Sequence, residues 1–287
     1  MAIIEKKESG TFTLQTRTST YQMKVDRHGV LLHTYYGAKT DESDYSYLIM
    51  PADRGYSGQP GDLGNDRTYS LDFYPQEYPV YGDGDYRITG LKANLEGQVP
   101  ALDLRYHSSR IMDGKYRLEG LPAMFAGDGE KGISTLEIVL KDRYEELYVH
   151  LLYGVYEEED VITRAAVIEN HTGKTVELKR VMSACVDFAE GGFDLIHFYG
   201  KHAMERQMER RALPHGVTQI SSRRGTSSHH HNPFVILSRP ETTEDQGACC
   251  GFSLLYGGSF QAQAEVDQLD QTRLVMGINE EEFCWRL

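Results

Sequence analysis

Apolar positions in this chain recur at every second residue far more often than at every third or fourth. In "TFTLQTRTSTYQMKV" (11–25), Phe12 and Leu14, then Tyr21, Met23 and Val25, fall at period two with threonine and serine between them. Successive side chains of a strand point to opposite faces, so this spacing predicts half-buried strands. "GVLLHTYYG" (29–37) follows a turn-like 26–29 and continues a meander. Three more strands are predicted in "LEIVLKD", "YEELYVHLLYGVYE" and "VITRAAVIEN" (136–170). "HTGK" (171–174) reads as a turn and "TVELKRVMSACVDF" (175–188) as the return. "PFVILSRP", "ACCGFSLLYGG", "FQAQAEVDQ" and "TRLVMGI" add further strands towards the end. Only the "EKK" near the start and "AMERQMERR" (203–211) look helical, and the second is read as a strand with long charged side chains, given its neighbours.

This pattern predicts an all-β chain, a large antiparallel β-sandwich with little helix. A (β/α)8 barrel would need a helix after each strand, and that alternation is absent. No internal repeat and no Pro/Ser-rich linker divides the 287 residues, so one domain spanning 1–287 is expected. The glycine-rich stretch "DRGYSGQPGDLGNDRTYS" (53–70) is read as one long loop, and loops of that length in compact domains tend to be functional.

Composition narrows the partners. A net charge of −13 repels phosphates, which argues against nucleic acid and anionic membranes. No stretch approaches the roughly 20 apolar residues of a membrane span, and the N-terminus lacks a signal-peptide core. Cys185, Cys249, Cys250 and Cys284 form no CxxC pair and are read as reduced thiols of a cytoplasmic protein.

Candidate chemistry is sparse. In "SSRRGTSSHHHNPF" (221–234), His229 and His231 could share a strand face but His230 could not join them. No acidic or cysteine cluster lies nearby, so no metal and no cofactor are expected. The stretch reads as a loop entering the strand "PFVIL". Asp83 and Asp85 in "GDGDYR", and Asp66 and Asp72, offer paired carboxylates of the kind glycosidases use, but acids among glycines are more often turn formers. "YEEEDVI" (156–162) reads as a solvated turn. No GxSxG, P-loop or dinucleotide fingerprint occurs. Tyr69, Phe73, Tyr74, Tyr78, Tyr81 and Tyr86 crowd one segment with Pro75 and Pro79; they could stack on sugar rings, or pack a loop against the sandwich or against another subunit, and packing is favoured.

Two long segments carry a family likeness. "DRTYSLDFYPQEYPVYGDGDYR" (66–87) and "ERQMERRALPHGVTQISSRRGTSSHHHNPFVIL" (205–237) resemble signatures of the bacterial-type α-galactosidases of glycoside hydrolase family 36. Both segments belong to the family's N-terminal domain, and the opening 11–37 and the closing "GINEEEFCWRL" fit its ends. The resemblance implies a galactose-mutarotase-like supersandwich. It also implies retaining enzymes that remove terminal α-linked galactose with two aspartates in a (β/α)8 barrel downstream. The family nucleophile lies in a Lys-Trp-Asp motif; here the single tryptophan is Trp285, between Cys284 and Arg286, so motif and barrel are expected to lie outside this chain.

The resemblance further implies a homo-oligomer, a tetramer in the full enzyme, in which this domain reaches a neighbour's active-site mouth. Asp53, Arg54 and Tyr56 are the candidates for contact with galactoside hydroxyls. Tyr78, Tyr81, Arg223, Arg224, His229 and His231 are the interface candidates, with His230 in a variable slot of the family pattern. Two other readings stand beside this one: a stand-alone carbohydrate-binding module resting on the aromatic segment, and a mutarotase-like enzyme with a His and a Glu converging on a concave face.

Overall fold

The structure is a computed structural model that describes residues 2–53, 55, 63–64, 66–127, 131–281 and 283–287. The chain opens with β1 (Ile3–Lys6), β2 (Thr11–Gln15), β3 (Ser19–Val25) and β4 (Leu31–Ala38), followed by a single 3₁₀ turn at Tyr45–Leu48. Then come β5 (Leu91–Leu95), β6 (Leu104–Asp113), β7 (Ile133–Asp142), β8 (Leu147–Tyr156), β9 (Val161–Asn170) and the long β10 (Val176–Phe188). The last part contains β11 (Asp194–Lys201), β12 (Met204–Ala212), β13 (Gly216–Ser221), β14 (His231–Ser238), β15 (Cys249–Ser253), β16 (Phe260–Val266), β17 (Thr272–Ile278) and β18 (Trp285–Arg286). All strands pair antiparallel. The all-β expectation holds, and "AMERQMERR" is a strand. The helix-like "EKK" is not helical: Glu5 and Lys6 pair with Phe12 and Thr11, because Ile3 is anchored in the core and the ladder overrides local preference.

The described strands form four sheets around two main cores. The meander β1-β2-β3-β4 and the meander β6-β7-β8-β9 enclose one core with β5 and the first part of β10. Period two sets this core: Leu136, Ile138 and Leu140 on β7, and Leu147, Val149, Leu151, Tyr153 and Val155 on β8, all point inward. A second core lies between the sheet β13-β16-β17-β10-β18 and the sheet β12-β11-β14-β15, filled by Leu195, Ile220, Val235, Leu237, Phe260 and Leu274. Phe188, at the end of β10, packs against both cores.

One face of the first meander departs from its sequence reading. Thr13, Gln22 and Thr34 alternate with the core residues and would be expected in water. They are buried instead, because residues 40–46 fold over them: Gln22 Nε2 donates to Thr13 Oγ1 and to the Ser43 carbonyl, and Tyr45 N donates to Gln22 Oε1. Polarity there marks a hydrogen-bonded interior rather than a wet surface.

Candidate functional site

The segment 66–87 runs beside the first core and shapes a groove. Its aspartates behave as turn formers. Asp66 Oδ1 accepts from Thr68 N, Asp83 Oδ1 from Asp85 N, and Asp85 Oδ1 from Arg87 N. Gly82 and Gly84 both sit at φ 101°, and a side chain at Gly82 would collide with Ala101, so the "GDGD" turn needs its glycines. Of the aromatic cluster, Tyr69, Tyr74 and Tyr78 are buried and Phe73 packs beside them. Tyr78 donates to the Met182 carbonyl at 2.9 Å inside the core, so it faces no partner surface. Tyr81 and Tyr86 remain 50% and 72% exposed.

Two tyrosines therefore rim a groove of about 930 Å³, together with Tyr144, Val99 and Val217. Its floor holds Asp83, Thr89, Arg180 and Glu265. Beneath it lies a buried charge cluster. Arg87 donates through Nε to Asp85 Oδ1 and through Nη2 to Asp85 Oδ2, each at 3.0 Å. Arg273 Nη2 reaches Asp85 Oδ2 at 2.8 Å, and its Nε reaches Asp187 Oδ1 at 2.6 Å. Burial would raise the Asp85 pKa, but Arg273 and Arg87 outweigh it and hold the carboxyl at about 2. Asp83 has no such pairing: burial first, then the charge of Asp85, pushes it up to about 7.

A carboxyl pair split this way resembles an acid and its ionised partner in a glycosidase. The geometry rejects that role. Both Asp85 oxygens are occupied by arginines, Gln76 also donates to one of them, and the side chain is fully enclosed. No sugar carbon can approach it.

A second buried cluster sits inside the first core. Glu77 accepts from Tyr21 at 2.7 Å and 2.8 Å, from Tyr153 at 2.8 Å and from Arg164 at 2.5 Å, and His33 Nδ1 lies 3.5 Å away. Burial opposes the charge of Glu77, yet Arg164 and the hydrogen bonds hold its pKa below the usual value. A mutarotase-like site would use a His–Glu pair. His33–Glu77 is sealed in the core, and His150 Nδ1, 2.9 Å from Glu137, lies on the β7–β8 face with Arg110 also bound to that carboxylate. Neither pair lines the groove.

Of the proposed sugar contacts, Arg54 and Tyr56 lie outside the described residues. Asp53 is exposed; its Oδ1 accepts from Gly55 N at 2.8 Å and pairs with Arg67 at 3.1 Å. A small core of Val30, Leu32, Leu63, Tyr69, Leu71 and Tyr74, with Ile49 packed against it, holds the described Leu63 and Tyr69 of that stretch and the residues just before and after it.

Residues 222–230 form the connection from β13 to β14, as the loop reading expects, but Ser221 still belongs to β13 and β14 already begins at His231, so Asn232 and Pro233 lie in the strand rather than in the loop before it. Arg223 pairs with Glu281 at 2.7 Å, and Arg224 shares a smaller pocket with Ser221, His230 and His231. His229 stacks on His230, and His231 starts β14 opposite Tyr199. Among the described residues no group of three metal-ligating side chains converges, and the four cysteines are unbridged. Among the described residues no helix is long and apolar enough to cross a membrane.

Sequence reasoning did not single out Glu77, Arg164 or Arg273. A lone acid between prolines and tyrosines, and arginines within strand patterns, carry no local sign of burial. Their partners are far apart in sequence.

Comparison with known proteins places this geometry. Residues 29–287 match the model of the glycosyl hydrolase family 36 N-terminal domain. The chain is 52% identical over its full length to the bifunctional α-galactosidase/sucrose kinase AgaSK of Mediterraneibacter gnavus, covering 30% of that protein. It is 42% identical over its full length to the α-galactosidase AgaA of Geobacillus stearothermophilus, covering 39%. The solved galactosidase domain of AgaSK superposes with a TM-score of 0.96, and the α-galactosidase AgaB from G. stearothermophilus with 0.93 at 43% identity; the chain covers 39% of each. Crystal structures of AgaA variants hold raffinose and stachyose. The chain thus spans well under half of the length of these relatives. By match, identity and fold, it belongs to the glycosyl hydrolase family 36 N-terminal domains.

Proposed function

We propose that this chain is the non-catalytic N-terminal domain of an α-galactosidase acting on terminal α-linked galactose of raffinose-type oligosaccharides in the cytoplasm. The observation that carries the reading is the full-length match of this chain to the N-terminal 30–39% of such enzymes, coupled with the arginine-locked Asp85. A retaining glycosidase needs two carboxyls facing one sugar. Of the four acids lining the groove, Asp85 and Asp103 are withdrawn into structural ion pairs with arginines. The chain supports a barrel supplied by the remainder of the enzyme and takes part in a homo-tetramer, with Tyr81, Arg223, Arg224, His229 and His231 at contacts. Asp53 stands on an anchored loop at the surface and reaches a neighbouring subunit's sugar. Its pairing with Arg67 is exposed on both sides and worth at most about 1 kcal/mol, so the carboxylate is free to exchange that partner for hydroxyls.

The test is incubation of the purified 287-residue chain with p-nitrophenyl α-galactoside. No release of p-nitrophenol is expected. Turnover that co-purifies with the chain and disappears on its denaturation would refute the reading.

A further inference from the structure

We propose that the turn Gly82–Asp83–Gly84 is a proton-operated latch, held against the groove wall by a proton on Asp83 and released towards the groove when that proton leaves.

The charges around Asp83 do not accommodate another anion. Beneath it, the enclosed carboxylates of Asp85, Asp187 and Asp267 share the guanidiniums of Arg87 and Arg273, three negative groups against two positive. Asp83 is 5% exposed, so its charge would add to an excess of the same sign. The remaining groups around the groove do not correct the imbalance. On β16, Glu265 is a further acid and accepts from Ile88 N at 2.6 Å. On β10, Arg180 is committed to Glu280 at 3.2 Å and to Gln263. On β5, Lys92 reaches the same Glu280 at 4.0 Å. Asp103, ahead of β6, is paired with Arg105 and Arg143. The carboxyl of Asp83 itself accepts from Asp85 N at 3.0 Å and meets the Gln76 amide, and both partners are uncharged. An enclosed carboxylate with neutral partners and an anionic neighbour favours the protonated form.

The backbone supplies the way out. Gly82 and Gly84 flank Asp83, both at φ 101°, where only glycine is at ease. Outside them the chain is fixed. Tyr81 N donates to the Leu91 carbonyl and Leu102 N to the Tyr81 carbonyl, each at 3.1 Å. On the other side Asp85 is bound by Arg87 and Arg273, and Tyr86 N by Asp72 Oδ1. Movement is thus confined to three residues between two anchors, the arrangement of a short hinge. The groove beside the turn is about 930 Å³ and lets water solvate a displaced carboxylate and take its place on Asp85 N. Release would alter the spacing of Tyr81 and Tyr86, which bracket the turn at 50% and 72% exposure. The device uses only this chain's own groups.

The sign follows from linkage. Asp83 binds its proton more tightly in the closed turn, up to about 7, than as a free side chain at 3.8. Opening therefore releases a proton between these values, and the opening constant rises about tenfold per pH unit there and levels off above about 7.

The experiment is amide hydrogen exchange on the 287-residue chain between about pH 5 and pH 8.5, read at Asp85, whose N–H the latch covers. Once the hydroxide dependence is divided out, its protection should fall about tenfold per pH unit up to about pH 7 and then level off. It should also exchange at least about a hundredfold faster than Met182 to Val186 in the core, because the turn opens without the rest of the molecule. Asp83→Asn keeps the shape and an acceptor for Asp85 N but cannot ionise, so it should abolish the fall. Asp85→Asn removes the anionic neighbour and leaves its arginines available, so the levelling-off should move to lower pH. A flat profile in the parent chain overturns the proposal. So does a fall that persists in Asp83→Asn, or an Asp85 amide that exchanges no faster than the core. Because the readout is a backbone amide rather than hydrolysis, the outcome is independent of whether the longer enzyme is an α-galactosidase.

Discussion

The two buried charge clusters differ in how they meet the surface. Around Glu77 one carboxylate is met by one guanidinium, two phenols and a histidine, all inside the first core. Around Asp85 two guanidiniums and two aspartates interlock directly beneath a groove, and a further acid, Asp83, is left without a cation of its own. The closed cluster joins distant strands. The open one holds a surface turn rigid and keeps one titratable group close to neutral pH. A matched cluster serves cohesion; a mismatched one leaves the surface above it responsive to protons.

Removing one partner from each cluster should separate them most strongly. Arg164→Met strands the buried Glu77 charge and should cost about 3–5 kcal/mol, read from the denaturant midpoint. Asp85→Asn leaves Arg273 paired with Asp187 and should cost less, about 1–3 kcal/mol. Equal losses would mean that the two clusters do the same work. Adding Glu77→Gln to Arg164→Met should recover part of the loss.

The next effect is pH dependence. Asp83 titrates at about 7 in the folded chain and at 3.8 as a free side chain, so between these values the folded state holds the extra proton. Its contribution to stability is therefore present below about pH 4 and is lost as pH rises through about 7. Glu77 has the opposite sign: its folded pKa is lowered, so its contribution is present above 4.5 and is lost as pH falls below it. Thermal melts of Asp83→Asn should show a flatter profile between about pH 4 and pH 7 than the parent chain. An unchanged slope would assign the decline to another group.

The smallest effect belongs to the surface. Asp53→Ala should change stability by less than about 0.5 kcal/mol, because its ion pair is exposed. In the longer enzyme it should raise KM for raffinose, and unchanged kinetics would reduce Asp53 to a loop-shaping residue.

The sequence made the strands of the two meanders legible because β2, β3, β7 and β8 turn an apolar face to the core and a more polar one away from it, which writes period two into the chain even where, as on β2 and β3, the polar face is covered as well. The strands β5, β6, β11 and β13 were not marked. β6 reads "LRYHSSRIMD" and lies at a sheet edge, where only part of its length meets the core. β11 alternates Leu195 and His197 inward, and histidine carries no clear apolar signal. The "GDGDYR" turn was read correctly from its glycines. The arginines that lock it were not, since Arg273 lies 188 residues from Asp85 and nothing local marks it as buried. The tyrosine segment shows the same limit: composition says that six aromatics crowd together, but only packing decides that Tyr78 goes inward and Tyr86 outward.

Strand β10 has a further consequence. Its thirteen residues give Val176 and Leu178 to the first core, pair with β17 beside the second, and end on Phe188 between the two. Neither half can fray without pulling at a ladder that the other half also needs. The amides of Met182 to Val186 should then be among the slowest to exchange with solvent, opening only when the whole molecule does, and the two cores should melt as one cooperative unit.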